Sequence, residues 1–316
     1  MKNKILEIYK KNVMRRFDGE LAFYFSLTDF PGLKANKYEF VTKKGDTLRG
    51  NFYYYDNYKK GHIIVFDHGM GAGHSSYFRE IELIASKGYM VFSYDHTGCM
   101  NSSGEHANGF LTSLADLDSC INAIKRDFPN NKISVIGHSW GGFSTSNIAG
   151  YHPDIAHVIS FAPFISLEAI INQTFCGLLS FMRKDIKEFE SSIYPEYANS
   201  STIKALENYD GFALIFHSKD DHILKINYHF KKAKKELLPN DNITFVELNK
   251  KRHNPNYTIN AVNLLAAFVK ERNKLLKKGM LKDKTEIQNF LNKFDWWKIT
   301  EQDEKVWNMV FELLNK

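Results

Sequence analysis

Short apolar runs alternate with segments of helical periodicity through most of the chain. The apolar runs lie at residues 37–42, 48–55, 62–67, 89–95, 132–137, 157–162, 212–218 and 242–248. Between them, apolar residues at helical spacing predict helices over residues 77–87, 111–127, 143–151, 225–238 and 257–275. Strands that alternate with helices predict an α/β fold with a mostly parallel, eight-stranded sheet and helices on both of its faces.

One connection is much longer than the others. About 50 residues separate the runs at 157–162 and 212–218, whereas ordinary connections in such folds have a handful. Much of this segment is apolar with helical spacing, and it leaves the sheet where the strands end. We therefore predict a main domain formed by residues 37–163 and 209–275, with a helical cap insertion at residues 164–208.

Both ends of the chain lie outside the alternating pattern. Residues 1–36 have helical character, with Ile5, Leu6 and Tyr9 at near-helical spacing. Residues 276–316 contain two amphipathic segments. We predict a helical extension at each end, which either packs on the main domain or contributes contacts in a homo-oligomer.

Composition excludes several classes of protein. The 42 basic and 36 acidic residues give a formal net charge of +6, and they are spread along the chain rather than gathered in a basic stripe, so we expect no nucleic-acid partner. The three cysteines show neither paired nor metal-ligand spacing, which argues against a disulfide framework and a metal site. No stretch approaches the roughly 18 apolar residues of a membrane span. A cytoplasmic location is the resulting expectation.

The strongest local motif is Gly137-His138-Ser139-Trp140-Gly141. It directly follows a predicted strand and precedes a predicted helix. A G-x-S-x-G sequence in this context allows a sharp turn that exposes the serine hydroxyl at the carboxyl edge of a sheet. Ser139 is therefore the candidate nucleophile.

A serine nucleophile needs a base to take its proton and an acid to orient that base. Asp221 follows the run at 212–218, and His253 follows the run at 242–248. The order Ser139, Asp221, His253 is the order of the catalytic residues in folds that carry the G-x-S-x-G turn.

With these motifs, residues 37–275 resemble the α/β-hydrolase superfamily. The segment His68-Gly69-Met70-Gly71 is similar to the oxyanion loop of that family, and the resemblance implies that the backbone N–H groups of Met70 and Trp140 stabilise an oxyanion. The segment from Asp95 to Gly104 resembles the D-x-x-G-x-G-x-S-x-G segment of the family, with Met100 in place of one glycine.

Alternatives remain for the acid. The family pattern G-x-x-D places Asp221 in register, with Ser218 in the position of the glycine. Its neighbour Asp220 could exchange roles with it, and Glu168 is a more distant alternative.

The base has rivals of its own. His253 precedes Asn254-Pro255, as the family base precedes the last helix. His222 adjoins the acid, but adjacent side chains of an extended turn diverge, and His138 beside the nucleophile is expected to pack or to form hydrogen bonds. His74 and His96 could line the site or have surface or structural roles. The glycine usual before the family histidine is missing. The basic run 250–252 occupies that stretch, and it is expected to be a solvated loop or to favour an anionic substrate.

These residues predict a serine hydrolase that cleaves a carboxylic ester of a small to medium acyl or aryl substrate through an acyl-enzyme intermediate. No metal or organic cofactor is implied. A serine peptidase or aminopeptidase and an acyltransferase are alternatives on the same fold. A ligand-binding receptor or interaction module without turnover is the alternative from a different class.

Overall fold

The computed structural model describes residues 2–19 and 21–316, so residues 1 and 20 of the predicted N-terminal extension lie outside it. An eight-stranded sheet forms its centre, with strands β1 (Lys34–Val41), β2 (Thr47–Tyr54), β3 (His62–Asp67), β4 (Met90–Tyr94), β5 (Lys132–His138), β6 (His157–Phe161), β7 (Phe212–Ser218) and β8 (Ile243–Leu248). The strand order is β1-β2-β4-β3-β5-β6-β7-β8. Strand β2 runs antiparallel to both of its neighbours, and the remaining pairs are parallel.

The helices connect and flank these strands. They are α1 (Lys2–Val13), α2 (Phe78–Ser86), α3 (Thr112–Asp127), α4 (Trp140–Ile148), α5 (Leu167–Thr174), α6 (Arg183–Ile193), α7 (Thr202–Leu206), α8 (Phe230–Leu237), α9 (Ile259–Lys277), α10 (Lys284–Leu291), α11 (Trp296–Ile299) and α12 (Glu304–Leu314). Helix α4 begins three residues earlier than predicted, directly after Ser139, and its first turn contains Gly141 and Gly142. None of the helices within the described ranges is long and apolar enough to cross a membrane.

The central strands bury both of their faces. Along β3, Ile63 and Val65 belong to the core on one face of the sheet, which includes residues of α3, α4 and α8, whereas Ile64 and Phe66 belong to the core on the other face, which includes residues of α2 and α12. Successive residues of a strand point to opposite faces, so a continuous apolar run is what a doubly covered strand requires. The expected fold, a mostly parallel eight-stranded sheet covered by helices on both faces, is confirmed.

The C-terminal segment packs against the sheet. Trp307 of α12 is buried, and its ring lies 5.4 Å from that of Phe161 in β6. Trp296 of α11 stacks on Phe23 at 4.8 Å, which joins the two ends of the chain. The division into a main domain and two extensions, and any homo-oligomer contact through them, stay predictions.

The segment between β6 and β7 contains helices α5, α6 and α7. Its Glu190 is fully buried and accepts hydrogen bonds from the Tyr9 hydroxyl of α1, at 2.5 Å, and from the backbone N–H of Phe110, at 2.9 Å. Burial raises the pKa of Glu190 to about 7. One carboxyl group therefore links the cap, the N-terminal helix and the loop before α3.

Candidate active site

Ser139 occupies a sharp turn between β5 and α4. Its φ of 57° and ψ of −110° lie in a strained region for a residue with a side chain. The turn requires the flanking glycines: a Cβ atom on Gly141 would lie 2.1 Å from the carbonyl oxygen of Asp67, and one on Gly137 would lie 2.3 Å from that of Gly141. The Ser139 side chain is consequently held at the carboxyl edge of the sheet.

Sheet order brings the other predicted residues to the same edge. Strand β3 lies beside β5, so the loop with Met70 adjoins Ser139. Asp221 and His253 follow β7 and β8, which end at this edge because they run parallel to β5. Ligand and catalytic sites of such sheets form beyond the carboxyl ends of the strands.

The three side chains form a continuous hydrogen-bonded chain. His253 Nδ1 lies 2.8 Å from Asp221 Oδ2, and His253 Nε2 lies 2.8 Å from Ser139 Oγ. An ionised carboxylate only accepts, so Nδ1 carries the proton and Nε2 is left to accept from the serine hydroxyl. The structure thus brings together the residues that the sequence selected, in a geometry suited to proton abstraction from Ser139.

Asp221 is a buried carboxylate. Its Oδ1 accepts backbone N–H bonds from Ile223 at 2.8 Å and Leu224 at 2.9 Å. Burial acts to raise the pKa of Asp221, but the hydrogen bond from His253 and those from the backbone outweigh it and hold the pKa below its usual value. Asp221 is therefore ionised at neutral pH and fixed in orientation.

The two alternative acids lie elsewhere. Asp220 Oδ1 accepts from the Ser218 hydroxyl at 2.6 Å and from the Arg252 backbone N–H at 3.2 Å, so it supports the loop that carries the base. Glu168 is exposed on α5 and pairs with Lys187. Neither of them contacts His253.

The basic run before His253 is only partly solvated, which corrects the expectation of a solvated loop. Lys251 is buried, and its ammonium group binds the carbonyl of Tyr257 and the carboxylate of Asp303. Lys250 and Arg252 have φ values of 60° and 46°, the left-handed region that favours glycine. The loop before His253 thus has the left-handed backbone conformation that glycine favours, although it contains no glycine.

The oxyanion candidates border the same pocket. Trp140 is the first residue of α4, and the N–H of a first helical residue has no partner inside its helix. The backbone N–H of Met70 makes no hydrogen bond with another described residue. Both residues line the pocket with Ser139, as two oxyanion donors would. Their role stays a prediction.

A further network was missed by the sequence analysis. The Gly69 N–H donates to the Tyr77 hydroxyl at 3.1 Å, Tyr77 donates to His138 Nδ1 at 2.8 Å, and His138 Nε2 donates to the backbone carbonyl of His253 at 2.7 Å. Burial and the nearby His253 lower the pKa of His138 to about 3, so its ring is neutral. The network joins the loop after β3, here called the oxyanion loop, to the loop after β8 that carries His253, here called the base loop. No sequence signal marks Tyr77 as a participant.

The remaining histidines do not reach Ser139. His222 is exposed. His74 Nδ1 lies 2.7 Å from Asp95 Oδ1, and His96 is buried between Asp67 and Asp116 at 3.0 and 3.2 Å. No group of three or more potential metal-binding side chains is gathered within the described ranges.

Ser139 and His253 border a pocket of about 500 Å³. Its wall is mostly apolar or uncharged. The cap supplies Phe164, Ile170, Gln173 and Thr174. The loop after β7 supplies Ile223 and Leu224, and the loop before α3 supplies Phe110. Arg15 and Phe17, from the N-terminal segment, complete the wall. No Asp or Glu lines it among the described residues.

Known proteins resemble parts of this chain. The model of a family described as serine aminopeptidase, S33, matches residues 59–209. A monoglyceride lipase homolog of monkeypox virus is 28% identical over 111 residues, which are 34% of this chain and 40% of that protein. The monoglyceride lipase of Rattus norvegicus is 29% identical over 82 residues, 25% of this chain and 27% of that protein. The chain thus spans 40% or less of the length of these two relatives.

Solved structures extend the likeness to most of the chain. An esterase of Pyrococcus furiosus superposes with a TM-score of 0.59 at 17% identity, covering 89% of this chain and 98% of that one. An acylaminoacyl peptidase of Pyrococcus horikoshii gives a TM-score of 0.54 at 19% identity, covering 72% of this chain and 38% of that one. These likenesses and the strand order show that the chain has the α/β-hydrolase fold, and residues 59–209 are similar to the serine aminopeptidase, S33, family.

Proposed function

We propose that the protein hydrolyses carboxylic esters of small to medium acyl or aryl substrates through an acyl-enzyme intermediate at Ser139. The observation that carries this proposal is the Ser139–His253–Asp221 chain, with both contacts at 2.8 Å, at the base of an apolar pocket. A pocket of about 500 Å³ suits a molecule of this size.

Acylation begins when His253 Nε2 takes the hydroxyl proton of Ser139. The serine oxygen attacks the ester carbonyl carbon, and the N–H groups of Met70 and Trp140 bind the developing oxyanion. His253 then gives the proton to the leaving alcohol as the bond between the carbonyl carbon and the alcohol oxygen breaks. The Asp221 carboxylate stabilises the transient imidazolium and keeps the proton on Nδ1.

Deacylation repeats these steps with water as the nucleophile. His253 removes a proton from water, the resulting hydroxide attacks the acyl carbon, and Ser139 leaves with the proton returned by His253. The free acid then departs. The His138–Tyr77 network holds the base loop and the oxyanion loop in register through both steps.

The pocket favours an ester over the substrate of an aminopeptidase. An aminopeptidase has to bind the charged amino terminus of a peptide, and a carboxylate is the ordinary partner for such a group. The wall offers no carboxylate among its described residues, and Asp221 lies behind His253, already hydrogen-bonded. The lack of a free carboxylate in the described wall therefore favours ester hydrolysis over the aminopeptidase activity that is named in the description of the matched family.

A panel of substrates tests the proposal. The purified protein is assayed against p-nitrophenyl esters with acyl chains of increasing length and against aminoacyl p-nitroanilides, with Ser139→Ala as the matched variant. We expect ester hydrolysis by the wild type, little release from the anilides and no turnover by Ser139→Ala. Faster release from the anilides than from every ester, or undiminished activity of Ser139→Ala, would contradict it.

A further inference from the structure

One residue of the pocket wall carries a permanent charge. Arg15 lines the pocket together with Ser139 and His253, and the other described lining residues are apolar, polar or histidine. His138 is neutral because of its lowered pKa. Among the described lining residues, the exposed Arg15 of the N-terminal segment is therefore the single permanent charge.

The segment that carries Arg15 is fixed on the main domain. The carbonyl of Arg15 accepts the N–H of Ala107 at 3.1 Å, and the N–H of Phe17 donates to the carbonyl of Gly98 at 2.9 Å. The Phe17 side chain is buried, and its ring lies 4.6 Å from the Arg15 guanidinium carbon. Arg15 itself is exposed, and it borders the pocket beside Phe17.

The adjacent Arg16 has a structural role, which makes it a useful comparison for Arg15. The Arg16 guanidinium donates to the carbonyl oxygens of Met100, Ser102 and Gly104, and pairs with Asp18 at 2.8 Å. Arg15, by contrast, makes no side-chain hydrogen bond or ion pair with another described residue. Its five N–H donors are available to a ligand, and a guanidinium fork matches the two oxygens of a carboxylate.

We propose that Arg15 binds a carboxylate of the substrate, so that the preferred substrates are esters bearing an anionic group on the part that reaches the N-terminal side of the pocket. The inference rests on the proposed ester hydrolysis and names its substrate class. It also gives the N-terminal segment a function: it supplies a specificity-determining residue that the strands and the cap do not contain.

Two matched pairs of esters test this assignment. One pair, 4-acetoxybenzoate and its methyl ester, differs by a negative charge on the leaving group. The other, phenyl hydrogen adipate and phenyl hexanoate, differs by a charge on the acyl chain. The ratio of kcat/KM for the charged and the neutral ester is measured for the wild type, Arg15→Ala and Arg15→Gln. Lys11→Ala, which removes an equal charge from the exposed surface of α1, is the control.

We expect the ratio for at least one pair to fall about tenfold in both Arg15 variants, because a charge-assisted hydrogen bond is lost. The change should lie mainly in the KM of the charged ester, kcat/KM for the neutral ester should change less than that for its charged partner, and Lys11→Ala should match the wild type. Added salt should weaken the wild-type preference and leave the Arg15 variants unchanged.

The two proposals fail in different ways. Unchanged ratios in both Arg15 variants, with neutral esters still hydrolysed, would overturn the role of Arg15 and leave ester hydrolysis intact. A wild-type protein that hydrolyses none of the four esters would contradict the proposed function itself, and with it this inference.

Discussion

The two sides of the pocket are built differently. The inner wall, formed by residues 69–71, 138–140 and 253, consists of loops that leave strand ends, and its polar side chains are tied to one another by hydrogen bonds. The outer wall consists of Arg15 and the cap residues Phe164, Ile170, Gln173 and Thr174. Its conformation depends on packing among cap, N-terminal segment and main domain.

This difference assigns the two walls separate roles: the inner wall holds the reacting groups, and the outer wall recognises the substrate. Reacting groups need positions fixed to a fraction of an ångström, and strand ends and helix termini provide them. A recognition surface tolerates variation, and insertions or chain ends can supply it without disturbing the sheet. We therefore expect substitutions in the inner wall to change the rate of any substrate, and those in the outer wall to change the choice of substrate or the local stability.

Replacement of the base should have the largest effect on rate. His253→Ala removes the proton acceptor 2.8 Å from Ser139 Oγ, and we expect kcat to fall about 10⁵-fold. His222→Ala, at a histidine beside the acid, should stay within about twofold of the wild type because its exposed side chain forms no hydrogen bond with the described residues of the site. Steady-state kinetics on a p-nitrophenyl ester measures both. Comparable losses in the two variants would break the assignment of the base.

Replacement of the acid comes next. Asp221→Asn keeps an acceptor for the N–H groups of Ile223 and Leu224 but removes the charge that orients the imidazole, so we expect kcat to fall about 10⁴-fold. Asp220→Asn, which changes only a group that supports the loop backbone, should cost about threefold or less. The same kinetic assay compares them, and a greater loss in Asp220→Asn would reverse their roles.

The support of the outer wall should respond to pH. The pKa of Glu190 is about 7 in the folded chain, above the ordinary 4.5, so its contribution to stability is full below about pH 4.5 and is lost as the pH rises through 7. Between about pH 5 and about pH 8, the free energy of unfolding of the wild type should fall by roughly 2 kcal/mol more than that of Glu190→Gln.

Urea unfolding at the two pH values measures this difference. Glu168→Gln, at an exposed glutamate of the same cap, is the control and should behave as the wild type does. An equal dependence on pH in the wild type and Glu190→Gln would show that this carboxyl does not titrate with folding.

The smallest predicted effect concerns the network between the two catalytic loops. Tyr77→Phe deprives the Gly69 N–H of its acceptor and His138 of its donor, and we expect kcat to fall about fivefold with KM nearly unchanged. Tyr55→Phe removes a hydroxyl that binds Glu82 outside the pocket and should leave kcat unchanged. Equal kinetics in both variants would show that the network does not hold the inner wall.

The residues of the inner wall could be predicted from the sequence because local backbone geometry and the order of the strands determine their positions. The strained turn at Ser139 needs close glycines on both sides, and the order of strands fixes which loops meet at the edge of the sheet. Asp221 and His253 could therefore be selected from their positions after apolar runs. Asp220 and Asp221 are adjacent, and the family pattern favours Asp221, whose carboxylate faces the imidazole in the structure.

The residues of the outer wall could not be predicted from the sequence because packing between distant segments of the chain determines which of them border the pocket. Arg15 and Arg16 are adjacent and chemically identical, and nothing local distinguishes the one that borders the pocket from the one that binds backbone carbonyls. The same holds outside the outer wall for Lys251, in the loop before His253: its ammonium group is buried against Asp303, about fifty residues away in the sequence. Contacts of this kind leave no periodic signal in the chain.

The most direct test asks which oxygen becomes covalently modified. The wild type and Ser139→Ala are treated with a fluorophosphonate, and mass spectrometry of the intact protein and its peptides locates the adduct. One equivalent on Ser139 in the wild type and none in the variant is the predicted result. An adduct on a different residue, or an unmodified wild-type protein that still cleaves esters, would contradict the account.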